Sequence, residues 1–166
     1  MNDVLTPGWI REIEAENARK AAADEAAAQS QLVASMTIDA DSPEFFRHFV
    51  RELAINTDAL PKIGLGGETY QIENRHHETE QHCRVEVFKP EALIPNFTHA
   101  DLFYIPGTMV IRCHPFEGES TKFSFCLLPR KNGIGVIEHG RSGPIKNAEE
   151  LAILIVRRLA DLILSR

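Results

Sequence analysis

The residues of this chain best equipped for chemistry are its histidines. His76 and His77 fall in a turn, His82 opens a strand pattern, His99 precedes one, and His114 and His139 end two others. Three imidazoles that converge can hold zinc and leave a fourth position for water, and Asp101 or Glu117 could join such a set. The spacing His76-His77-x4-His82 matches no established metal motif, and spacing alone rarely fixes a ligand set. Solvated loop histidines account for the pattern, so the sequence assigns no metal and no other cofactor.

A second group is cationic. Gly140-Arg141-Ser142-Gly143, with Lys146 close behind, lies between a strand pattern and a helix start. Backbone N–H groups at a helix N-terminus attract anions, and Arg141 would add charge. The loop lacks the Walker ending Gly-Lys-Ser/Thr and the dinucleotide spacing Gly-x-Gly-x-x-Gly. Glu149 and Glu150, in the first turn of that helix, oppose a phosphate. Lys62–Gly67 (KIGLGG) leads into a strand, with no helix dipole behind it, and reads as a plain turn. No nucleophile stands out. Ser124 and Ser142 lie in no Gly-x-Ser-x-Gly elbow. Cys83 and Cys113 fall on apolar strand faces where a thiolate is costly, and Cys126 reads as a packing residue.

The elements that must position these groups are strands. Asp101–His139 resolves into four of them joined by three turns. Phe123, Phe125 and Leu127 alternate with Lys122, Ser124 and Cys126, and Met109, Ile111 and Cys113 alternate with Val110, Arg112 and His114. Asn132-Gly133 can supply the positive φ angles of a hairpin turn, and Pro106-Gly107 suits the centre of a type II turn. A tight Pro-Gly hairpin sets Tyr104 opposite Met109 and Leu102 opposite Ile111. The core face is then Leu102, Tyr104, Met109, Ile111, Cys113, Phe123, Phe125 and Leu127. The other face mixes Phe103, Ile105, Val110 and Leu128 with Arg112, His114 and Lys122. A solvated face would hold fewer large apolar groups, so this one calls for a helix, a partner subunit or a ligand. Two further strands are predicted at 68–73 and 80–88, the latter pointing Cys83, Val85 and Val87 inward and His82, Arg84 and Glu86 outward, with residues 89–100 as a loop.

Three helices are predicted around the sheet. Pro7 at a first helical position starts one over residues 7–34, where eight of the fourteen residues from Ala15 to Ala28 are alanine. Ser42-Pro43-Glu44 looks like a second start, with Phe46, Phe49, Val50 and Leu53 on one stripe and an end before Pro61. Asn147 with Glu150 three residues on is a capping signature for the last helix, 148–164, which is apolar on most sides.

At 166 residues the chain is one domain's worth, with 43% hydrophobic and 25% charged residues. Its net charge of −6 argues against nucleic acid as a partner. Three cysteines without a Cys-x-x-Cys pair fit a reducing compartment. The N-terminal stretch has no secretion pattern and no apolar run is long enough for a bilayer, so a cytoplasmic protein without membrane contact is expected. The expected architecture is α+β: an antiparallel sheet of about six strands, mostly meander, with a long N-terminal helix, a second amphipathic helix and a C-terminal helix packed on the sheet. Residues 1–36 form an Ala-rich arm or oligomerisation element, and 37–166 a single domain. The thin-striped first helix, the over-apolar last helix and the mixed sheet face favour a non-enzymatic binding module, adaptor- or chaperone-like, that forms a homodimer and takes a protein or peptide partner. The alternative is a small-molecule-binding protein or small enzyme with a pocket between sheet and helix. Its ligand-binding residues would be His82, Arg84, Arg112, His114 and Arg141, with His139 nearby.

Overall fold

A computed structural model of the chain describes residues 7–73, 81–93, 96–105, 108–115, 118–140 and 143–165. Among them lie two α-helices, a short 3-10 helix and six strands. The order is α1 (Gly8–Asp58), the 3-10 turn (Leu60–Ile63), β1 (Gly66–Glu73), β2 (Gln81–Phe88), β3 (Phe97–Ile105), β4 (Thr108–His114), β5 (Thr121–Arg130), β6 (Gly133–Glu138) and α2 (Ala148–Leu164). The chain divides into two compact units between Met36 and Thr37. In the first unit the alanine-rich sequence is helical from Gly8 on, and its apolar residues Trp9, Ile13, Leu32, Val33 and Met36 are exposed. Alanine gives the helix its propensity and leaves only a thin stripe to bury.

The α+β class and the six-strand meander stand as expected, but the helix count does not. The two helices expected around residues 7–34 and after Ser42 are one, because Pro43 lies inside α1 and does not start a new helix. A proline there forfeits one backbone bond to the residue four back and crowds that carbonyl. Residues 35–42 contain no glycine or other breaker, and the Ser42 hydroxyl donates to the carbonyl of Ile38 beside the gap. Ser-Pro-Glu therefore has the composition of a cap without its geometry.

The second unit is one six-stranded antiparallel sheet in sequence order, covered on one face by the Phe45–Leu53 part of α1 and by α2. Phe46, Phe49 and Leu53 are fully buried, with Leu151, Ile155, Leu159 and Ile163 of α2. Asn147 caps α2 as its sequence implied: its side-chain oxygen accepts from the Glu150 N–H at 2.8 Å, and Glu150 accepts from the Asn147 N–H at 2.9 Å. Tyr104 pairs with Met109 and Leu102 with Ile111, the predicted register. Seven of the eight predicted core-face residues are buried. Phe123 is only half-buried: it borders a cavity beside α2, and the Arg158 guanidinium lies over its ring at 4.3 Å.

Two local readings shift. Pairing of Arg130 with Gly133 makes Lys131-Asn132 the turn, and Gly133, at φ 108°, is the residue that takes positive φ. That matches a turn followed by a glycine bulge better than an Asn-Gly turn. Strand β3 begins at Phe97, inside what reads as a loop. The sheet's margins differ. No described strand lies beyond β1. At β6, both backbone groups of Val136 bond Lys146 at 2.8 Å, and Ile145 sits where Gly135 lacks a Cβ. No described helix is long and apolar enough to cross a membrane.

Candidate functional site on the outer sheet face

Antiparallel register turns scattered residues into rows. On the face away from the helices, β2, β3 and β4 align Glu86, His99 and His114 in one row, Arg84, Asp101 and Arg112 in the next, and His82, Phe103 and Val110 in a third. Lys122 extends the second row onto β5. Strand pleating alone puts these alternate residues on one side.

Asp101 is the centre and the one buried carboxylate among the described residues. Its Oδ1 accepts from Arg84 Nε at 2.8 Å and lies 3.2 Å from His82 Nε2. Its Oδ2 accepts from Arg84 Nη2 at 3.2 Å and lies 3.4 Å from His114 Nε2 and 3.9 Å from His99 Nε2. The rings of His99 and His114 stack at 4.6 Å, and the His82 ring lies flat on Phe103 at 4.5 Å. Arg112 covers that same Phe103 ring at 5.2 Å. Ser120 Oγ lies 2.8 Å from His114 Nδ1.

Burial alone would raise the pKa of Asp101, but the Arg84 hydrogen bonds and charge, with His82, outweigh it and hold the carboxyl below its ordinary value. The hydrogen bond to Asp101 in turn raises Arg84. Burial, then the charges of Arg84 and His114, lower His99 and favour its neutral ring. The site therefore holds one carboxylate and a neutral-leaning imidazole beside a firmly charged guanidinium. His99, Asp101 and His114 offer ligand atoms that all lie within 4.8 Å of one another.

Four of the residues singled out in the sequence, His82, Arg84, Arg112 and His114, share this face. Arg141 lies outside the described residues, as do His76, His77 and Glu117. His139 lies apart, 3.6 Å from the Cys126 sulfur. The four do not line a pocket between sheet and helix, since α2 and the Phe45–Leu53 part of α1 pack on the opposite face. One cavity on that side, about 320 Å³, is lined by others, among them Cys113, Phe123, Arg158 and Leu162. Sequence reasoning left His99 and Asp101 out of the ligand-binding set. The alternation Ala100, Leu102, Tyr104 against His99, Asp101, Phe103 was the signal, once β3 is extended back to Phe97.

Ser120, His114 and Asp101 form a chain in the order of a nucleophile, base and acid. The carboxylate is already paired with Arg84, which sets this row apart from a triad whose acid serves the histidine alone. The thiols are also quiet. Burial pushes Cys83 up to about 12 and, with Arg158 opposing, Cys113 up to about 11. At a pH of about 8, a maleimide is expected to label only Cys126 in the native protein and the two buried thiols only on unfolding. Native labelling of Cys83 or Cys113, read by peptide mass spectrometry, would contradict the packing of the sheet. Compared with protein-family models, with curated proteins and with solved structures, the chain matches none.

Proposed function

We propose that the protein is a non-catalytic binding module that self-associates through the outer face of its sheet. The observation that carries this reading is that α2 and the Phe45–Leu53 part of α1 pack on one face, while the other bears Ile72, Phe103, Ile105, Val110 and Leu128 with no further layer over them among the described residues of the second unit. Six strands about 4.8 Å apart and some seven residues long make a patch of roughly 600–700 Å². Two such patches would bury enough for a stable dimer.

Charge selects a second copy as the occupant. Glu68 stands directly opposite Glu86 across β1 and β2, and Arg112 directly opposite Lys122 across β4 and β5. Like charges in facing positions are unfavourable within one sheet. Arg84, at 4.0 Å from Glu86, relieves the acidic pair only in part. A two-fold axis running along β3 lays the acidic side of one copy over the basic side of the other. Such an interface is self-complementary, as two-fold symmetry requires.

Native mass spectrometry and light scattering of the full-length protein test this. Wild type is expected as a dimer. The Arg112→Glu, Lys122→Glu double variant should be a monomer, with dimer affinity down by about 100-fold or more. Mixing it with a Glu68→Lys, Glu86→Lys chain should restore a mixed dimer. A monomeric wild type, or a dimer indifferent to these reversals, would refute the reading.

A further inference from the structure

We infer that His99, Asp101 and His114 form a binding site for one borderline divalent transition metal, of the zinc or cobalt class. The site takes its three ligands from a single chain, so it does not depend on self-association.

The geometry comes first. A tetrahedral ion with bonds of about 2.1 Å sets its ligand atoms about 3.4 Å apart. Asp101 Oδ2 lies 3.4 Å from His114 Nε2 and 3.9 Å from His99 Nε2. The stacked rings must splay about their χ2 torsions to point their nitrogens at one ion, and that torsion is soft. Two imidazoles and one carboxylate suit zinc, cobalt, nickel or iron and do not suit calcium or magnesium, which prefer all-oxygen shells.

The surroundings point the same way. Metal-binding histidines usually hold a partner on the other ring nitrogen, which fixes the tautomer. Ser120 Oγ sits 2.8 Å from His114 Nδ1 and so leaves Nε2, the nitrogen that faces Asp101, free to ligate. The carboxylate is similarly prepared. Arg84 Nε and His82 occupy Oδ1, so Oδ2 is the oxygen turned toward both histidines. Arg84 Nη2 also touches Oδ2, at 3.2 Å, and its charge opposes a cation. Its Nη1 lies 4.0 Å from Glu86, next to His99 in the register, so part of that charge is already drawn away. An oxygen with two lone pairs can serve Arg84 and an ion together. Three protein ligands leave one or more positions for water or an anionic ligand where the face is not covered by a second copy.

The test is titration of tag-free, full-length protein with Co²⁺ followed by its visible ligand-field bands, and with Zn²⁺ by calorimetry. One equivalent per chain is expected. His99→Ala and His114→Ala should each weaken it by about 100-fold or more, and Ser120→Ala by about tenfold. His82→Ala, on the other carboxylate oxygen, should change it only a few-fold, and His48→Ala not at all. The histidines are partly exposed, so these variants fold, which circular dichroism checks. No uptake at micromolar metal, or uptake indifferent to His99→Ala and His114→Ala, overturns the inference. Loss equal in His82→Ala and His99→Ala does so too, since it would mean a loose histidine cluster. Native mass spectra of the same samples report subunit count separately from bound metal.

Discussion

Truncating Phe46 to alanine is expected to cost about 3–5 kcal/mol of stability, the range for removing a large buried aromatic side chain. Phe46 is fully buried, and its ring centroid lies 5.6 Å from that of Tyr104 and 6.2 Å from that of Phe49. It thus joins α1 to the middle of the sheet. A domain of this size has only about 5–15 kcal/mol in total, so one substitution removes a large share. Urea unfolding of the purified variant measures it. Trp9→Ala, in the same helix, is the control: that side chain is 62% exposed and should change stability by no more than about 0.5 kcal/mol. A Phe46→Ala loss below about 1 kcal/mol would mean that α1 does not dock on β3 as described.

Asp101→Asn is expected to cost about 2 kcal/mol. The amide keeps the shape but not the charge, and Arg84 loses its partner on a face where Asp101's side chain is 12% exposed. Removing one member of a buried pair costs about 3–5 kcal/mol. Arg84 is 36% exposed, so water screens part of the loss. The double variant Asp101→Val, Arg84→Met removes both charges and should recover most of that stability, because replacing a whole pair by apolar groups is often neutral. A complete double-mutant cycle by chemical denaturation separates the pair from its parts. If Asp101→Asn proves neutral, Asp101 is solvated and the central row is not a built network. If the double variant is as poor as the single one, His82 and the neighbouring histidines depend on the carboxylate more than Arg84 does.

Local pattern carried the sheet and the last helix. Alternation in β4 and β5 needs only a period of two, and a two-residue spacing between Ile105 and Thr108 fixes which side chains face each other. The capping pair of Asn147 and Glu150 is equally local. What stayed hidden depends on longer range. Ser42-Pro43-Glu44 satisfies every local rule for a helix start, yet the backbone runs on as helix through Pro43, which no local pattern announces. The centre of the candidate site required two facts at once: that β3 starts at Phe97, and that Arg84 pairs with Asp101, 17 residues away. The core face was read correctly, but whether a helix also covers the other face was illegible, because both sides of β3 and β4 carry large apolar residues. Burying Leu102, Ile111 and Phe125 on the core face leaves the charged rows outside.

The unequal margins of the sheet govern how the protein could misassemble. A fibre built by adding strands edge to edge needs every molecule to be sticky at both ends. Here no described strand pairs with the outer edge of β1, while the Lys146 contact occupies the middle of the other edge strand. Two molecules that meet at β1 use up both open ends and expose two blocked ones. Between single chains edge growth then stops at a pair, with the Ile145–Lys146 segment in the part of a chain terminator.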